Sequence, residues 1–127
     1  MGLLDGKVAF VTGAARGQGR SHAVRLAQEG CDIIAIDALA TQEWLFYPLA
    51  TEADLAQTVK EVEALDRRII ATRADVRDFG AVSAAVSSGV AELGGRLDVV
   101  CANAAIISWA RNTWDNCASN ASACANP

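Results

Sequence analysis

Short apolar runs alternate with amphipathic stretches along most of this chain. Residues 7–12 (Lys-Val-Ala-Phe-Val-Thr) are almost continuously apolar and predict a short buried strand. A glycine-rich turn follows, then a helical stretch over 17–29, where Ala23, Leu26 and Ala27 share a face and Gly30 supplies a stop. Residues 32–36 (Asp-Ile-Ile-Ala-Ile) predict a second strand ending at Asp37. A loop with Trp44, Phe46, Tyr47 and Pro48 leads to Thr51, an N-cap with Asp54 three residues on in a loose capping-box arrangement. The helix it opens runs to about Leu65, with Leu55, Val59, Val62 and Leu65 on one face. Residues 69–73 predict a third strand. Asp78 caps a third helix with the stripe Val82, Val86, Val90 and Leu93, which Gly94-Gly95 ends. Residues 97–101 (Leu-Asp-Val-Val-Cys) predict a fourth strand.

Continuous apolar strands alternating with amphipathic helices predict an α/β fold whose parallel sheet is covered on both faces. Right-handed crossovers leave few topologies, and the doubly wound order 3-2-1-4 is the expected one. Residues 108–127 break the pattern. They are built from Asn, Ala, Ser and Cys, with Trp109 and Trp114 stranded among them. Residues 1–107 are therefore expected to form one folded α/β unit and 108–127 a disordered tail.

Length allows one domain with a real core: 127 residues, 52% hydrophobic and 20% charged, a balance that argues against disorder. The net charge is −4 and no Lys/Arg cluster stands out, so neither nucleic acid nor an anionic membrane surface is an expected partner. The single histidine, His22, excludes a His-rich metal site, and no metal is expected. Cys31, Cys101, Cys117 and Cys124 form no C-x-x-C pair and read as small hydrophobes rather than ligands. The N-terminus lacks the basic and apolar regions of a signal peptide, and position 6 is Gly6 where myristoylation wants Ser or Thr. A cytoplasmic protein is expected. Asn120-Ala121-Ser122 fits a glycosylation sequon, which carries nothing without secretion.

The chemistry concentrates in Thr12-Gly13-Ala14-Ala15-Arg16-Gly17-Gln18-Gly19, between the first strand and the first helix. Gly13, Gly17 and Gly19 permit a tight turn, close backbone approach and close helix–strand packing. A helix N-terminus there offers free N–H groups and a positive dipole end, which suits a pyrophosphate. A glycine-rich turn alone is only a turn; between strand and helix in a βαβ unit it becomes a phosphate cradle. The spacing G-x-x-x-G-x-G differs from the ordinary G-x-G-x-x-G. Asp37 ends the second strand about where a ribose-binding acid is expected, against the plainer reading of a solvated strand end. Its charge would repel a 2′-phosphate, so NAD is favoured over NADP, although Arg16 stands ready to meet a phosphate. A flavodoxin-like receiver fold would lack this first turn.

These residues resemble the short-chain dehydrogenase/reductase family. Thr12 to Gly19 matches its T-G-x-x-x-G-x-G cofactor motif, Asp37 its acidic end of strand two, and Asp75-Val76 its adenine-contacting pair. Asn103-Ala104-Ala105 matches its N-A-G motif with Ala105 in place of glycine, harmless at negative φ and harmful at positive φ. The turn sequence, the loop with Tyr47-Pro48-Leu49-Ala50-Thr51, and Ala74-Asp75-Val76-Arg77-Asp78 resemble mycofactocin-associated, carveol dehydrogenase-like members. The resemblance covers residues 3 to about 109 and implies that 1–107 is the N-terminal half of a dinucleotide-binding domain, with 108–127 an aberrant tail. It implies a Rossmann-type fold, hydride transfer between NAD and a secondary alcohol or ketone, and cofactor contacts at Gly13, Arg16, Gly17, Gln18, Gly19, Asp37, Asp75, Val76, Asn103, Ala104 and Ala105.

The family also implies a Tyr-x-x-x-Lys pair and a catalytic Ser, and these find no counterpart here. The one tyrosine is Tyr47, with Thr51 four residues on, and the lysines are Lys7 and Lys60. No catalytic residue can be assigned. The expectation is a sheet truncated after strand four, by a shortened gene or an out-of-frame tail, without the family's usual homo-oligomer interface and with strand four as an exposed edge. Its function is then an NAD-dependent oxidoreductase by descent, inactive as this chain alone. The alternatives are a non-catalytic remnant binding NAD or an adenine nucleotide, and an unstable remnant that does not accumulate.

Overall fold

The computed structural model describes residues 2–43, 45 and 47–107. The elements follow in the order β1 (Val8–Thr12), α1 (Gly17–Gln28), β2 (Asp32–Asp37), α2 (Glu52–Glu63), β3 (Ile69–Arg73), α3 (Phe79–Glu92) and β4 (Val99–Cys101). The strands form one parallel sheet in the order β3-β2-β1-β4, as the pattern predicts. Position 10 on β1 stands level with Ile34 on β2 and Val100 on β4. The expected tail, 108–127, lies outside the described residues, as do Trp44 and Phe46.

Two apolar layers hold the sheet. One face packs Ala9, Val11, Ile33 and Ala35 under α1 and α2 through Ala23, Ala27 and Val62. The other packs Val8, Phe10, Ile34 and Ile36 under α3. β1 is buried throughout, because both its neighbours and both its faces are covered. The helix stripes need correcting in detail. In α3 the innermost residues are Ala85 and Gly89, with Val82, Val86 and Val90 only half-buried. A side chain at Gly89 would come within 2.8 Å of Ile34, so the small residue sets how closely α3 approaches the sheet. In α2 the helix stops at Glu63, before a left-handed Asp66, and leaves Leu65 exposed. The buried position that completes its stripe with Leu55 and Val62 is Thr58.

β4 begins at Val99, two residues later than the pattern predicts, because Asp98 acts as a brace. Its carboxylate accepts from the Val8 backbone N–H at 2.9 Å and from Arg96 at 2.6 and 2.8 Å. These donors hold its carboxyl at about 2, against an ordinary value of 3.8, with the Arg96 hydrogen bond the largest cause. The folded state thus binds this proton less tightly than the unfolded chain. The stabilisation is full above 3.8 and is lost as pH falls through that value toward about 2. Urea midpoints followed over this range are expected to fall less steeply in Asp98→Asn than in the unsubstituted chain. Among the described residues β4 pairs with β1 alone, and Val100 is 60% exposed.

Candidate functional site

The site forms where the carboxyl ends of β1 and β4 part company, the point at which strand order reverses in a doubly wound sheet. The chain leaves β1 at Thr12 and turns at Gly13, whose φ is +66°. Two bonds fasten the turn to the end of β2. The Ala14 N–H donates to the Ile36 carbonyl at 3.2 Å, and the Ala15 N–H to Asp37 Oδ2 at 3.1 Å. Asp37 Oδ1 also accepts from the Leu39 N–H at 3.2 Å, so the carboxylate organises the backbone on both sides of it.

The glycines divide their work. A Cβ on Gly19 would lie 1.9 Å from the Gly13 carbonyl oxygen, and one on Gly13 would lie 2.9 Å from Ala104 Cα. Both are required by protein packing. Gly17 has a φ of +60° and nothing within 4 Å of a Cβ, so its backbone is special while the space before it is open.

The first turn of α1 has no side-chain cap. Its N-cap is Arg16, which makes no capping bond, and no acidic residue lies in the first turn. The other two helices contrast with it. α2 carries the full capping box of Thr51 and Asp54, and the Asp78 side chain caps α3. A helix start normally leaves four N–H groups without intrahelical partners. Here Arg16 and Gln18 of that start line a groove, with the positive end of the helix dipole behind them.

The opposite wall follows β4. Thr12 Oγ1 accepts from the N–H groups of Asn103 and Ala104 at 3.0 and 2.9 Å, and Asn103 Nδ2 donates to the Thr12 carbonyl at 3.2 Å. Thr12 and Asn103 thereby lock the two strand ends together. Among the described residues the non-glycine positions with positive φ are Leu39 and Asp66, so Ala105 sits without backbone strain.

The groove between these walls measures about 870 Å³. It brings together Gly13, Arg16, Gln18, Asp37, Asp75, Val76, Asn103, Ala104 and Ala105 from the sequence reading. Gly19 does not line it but is buried behind the turn, and Gly17, exposed between Arg16 and Gln18, is not among its lining residues either. Asp75 is clamped by Arg77, which donates from its backbone N–H at 2.9 Å and its guanidinium at 2.7 Å. The Arg77 hydrogen bonds hold the Asp75 carboxyl below the usual carboxylate range. Val76 is 51% exposed on the groove, an apolar surface open to a flat ring. Arg16 donates to the Pro48 carbonyl at 2.8 Å, which turns its charge toward the loop after β2.

Tyr47 and Leu39 also line the groove, although the sequence reading gave them no place in the site. The Tyr47 hydroxyl both donates to the Ile107 carbonyl and accepts from the Ile107 N–H, each at 3.0 Å. The loop after β2 is thus joined to the segment after β4. The reading also missed Arg20 and Thr58, which stand behind the turn. The signal was there: a threonine on the apolar stripe of α2, and a cation in the first turn of α1, where the dipole disfavours it.

A parallel sheet with a glycine turn, an uncapped helix start and an acid closing β2 defines a dinucleotide-binding fold of the Rossmann type. Residues 7–124 match the family described as short chain dehydrogenase, and the chain belongs to that family. The match runs beyond residue 109, where the sequence reading ended the resemblance. The chain is 51% identical over 108 residues to the (−)-trans-carveol dehydrogenase of Rhodococcus erythropolis, covering 85% of this chain and 39% of that enzyme. It is 52% identical over 111 residues to an uncharacterized NAD-dependent oxidoreductase of Mycobacterium tuberculosis, covering 87% and 40%. The crystal structure of a carveol dehydrogenase from Mycobacterium avium in complex with NAD superposes with a TM-score of 0.85 at 57% identity, covering 90% of this chain and 41% of that one. The chain therefore spans about two-fifths of the length of these relatives.

Proposed function

We propose that this chain is the cofactor-binding half of an NAD-dependent oxidoreductase acting on secondary alcohols and ketones. The observation that carries the reading is the uncapped start of α1, opening on the groove that Asp37 closes at the end of β2. Gly13, Gly17 and Gln18 would hold the pyrophosphate, with Gly19 giving the helix its close approach. Asp37 would accept the adenosine ribose hydroxyls and repel a 2′-phosphate, favouring NAD over NADP. Asp75 and Val76 would flank the adenine, while Asn103, Ala104 and Ala105 would form the wall toward the nicotinamide. Arg16, turned onto Pro48, would shape the rim rather than neutralise a phosphate. The bound dinucleotide supplies the hydride acceptor or donor; this chain's residues bind and orient it. The likeness to carveol dehydrogenases supports an alcohol substrate and a mycofactocin-associated setting for the full-length relatives. A cytoplasmic setting belongs to the same reading.

A second reading concerns the chain by itself. Its single tyrosine, Tyr47, is not followed by a lysine four residues on, so these 127 residues hold no Tyr-x-x-x-Lys pair. The purified chain is expected to bind NAD saturably and to produce no NADH from carveol or cyclohexanol. Calorimetric titration with NAD and NADP, beside an NADH absorbance assay, checks both statements. Failure to bind NAD sinks the cofactor reading, and turnover sinks the second.

A further inference from the structure

The Thr58 side chain is fully buried in α2 and does not reach the groove. Its hydroxyl donates to the Ala14 carbonyl at 2.8 Å, with the Ala15 carbonyl at 3.1 Å, and accepts from Arg20 Nε at 3.0 Å. Arg20 Nη2 in turn donates to the Ala15 carbonyl at 2.7 Å and to the Asp54 carbonyl at 2.8 Å. Two consecutive peptide units of the turn are thus held by their oxygens from behind.

A trans peptide is planar, so its C=O and the following N–H point in opposite directions. Drawing the Ala14 oxygen back onto Thr58 drives the Ala15 N–H forward, and it meets Asp37 Oδ2 at 3.1 Å. Drawing the Ala15 oxygen back onto Arg20 and Thr58 sends the Arg16 N–H the other way. This accounts for a cation in the first turn of α1: Arg20 spends its charge on carbonyls rather than on the helix start.

We infer that Thr58 and Arg20 are positioning residues, which set the turn and, through the Ala15 N–H, aim the Asp37 carboxylate. They act through the backbone and touch no ligand. The inference rests on the cofactor reading for its binding consequence, but its geometric content stands apart from it.

Thr58→Val keeps the volume and deletes the hydroxyl, Thr58→Ser keeps the hydroxyl, and Arg20→Met removes the second brace should the valine variant not fold. Leaving a buried carbonyl without its donor is expected to weaken NAD binding by about ten-fold in Thr58→Val and Arg20→Met. Thr58→Ser is expected to bind within about two-fold of the unsubstituted chain, because the same hydroxyl serves the same oxygen. In an Asp37→Asn background the loss from Thr58→Val is expected to shrink, since the two act on one path. Hydrogen exchange of the Ala15 amide, followed by NMR without nucleotide, is expected to quicken in Thr58→Val and Arg20→Met while the amides of β1 stay protected. NAD affinity unchanged in Thr58→Val, equal loss in Thr58→Ser, or unchanged Ala15 exchange would each overturn the inference. Absent NAD binding by the unsubstituted chain would instead refute the cofactor reading, and the exchange measurement would still decide the geometry.

Discussion

Gly19→Ala is expected to abolish measurable NAD binding and to lower the stability of the fold by about 3 kcal/mol or more. The added methyl would sit 1.9 Å from the Gly13 carbonyl oxygen and 2.8 Å from Asn103 Nδ2. Neither neighbour is the loose end of a side chain. Gly13 is the pivot of the turn, and Asn103 is bonded to the end of β1. Relief therefore requires α1 to move away from the sheet, which spoils both the packing of Ala23 and Ala27 and the placement of the helix start. A small domain has only about 5–15 kcal/mol of net stability, so this is a large fraction of it. Gly17→Ala is the informative control. Its methyl meets no protein atom, and only the positive φ resists it, at about 1–2 kcal/mol. Urea unfolding of both variants, with NAD titration of each, separates packing from ligand clearance. Equal stability of Gly19→Ala and the unsubstituted chain would refute the packing argument.

Asp37→Asn is expected to shift the preference between NAD and NADP by about a hundred-fold toward NADP. Hydrogen bonds to a charged acceptor contribute about 1.5–3 kcal/mol, so loss of the charge weakens ribose binding by about ten-fold or more. The same change removes the like-charge repulsion against a 2′-phosphate, which accounts for the remainder. The substitution also reaches the protein itself. Asp37 accepts from the Ala15 and Leu39 N–H groups through its two oxygens. An amide can serve only one of them and sets an N–H against the other, at about 1–2 kcal/mol of stability. Competitive titration with both dinucleotides checks the ratio, and thermal unfolding checks the structural part. An unchanged ratio would remove Asp37 from the ribose site.

The path of the chain is legible in its sequence. Strand β3 and the caps Thr51 and Asp78 fall where the apolar runs and polar punctuation put them, because those signals are local. The strand order followed from the handedness of parallel crossovers. The residues that gather at the groove were legible for a different reason. A glycine turn between strand and helix, with an acid at the end of the next strand, is a local pattern whose spacing records a three-dimensional need.

What escaped the sequence depended on partners distant along the chain. Thr58 reads only as a threonine on an apolar stripe until its hydroxyl is seen on the Ala14 carbonyl, 44 positions earlier. Tyr47 reads as loop until it meets Ile107, 60 positions later. Val99 starts β4 because the Asp98 carboxylate takes the Val8 N–H, 90 positions back. Arg16 reads as a free cation until its guanidinium is seen on the Pro48 carbonyl, 32 positions later. The sequence by itself determined the elements, their order and the dinucleotide signature, since periodicity, capping and glycine conformation act within a few residues. Only the tertiary structure decided which face of each group was free, because hydrogen bonds in a folded chain are allotted by distance in space.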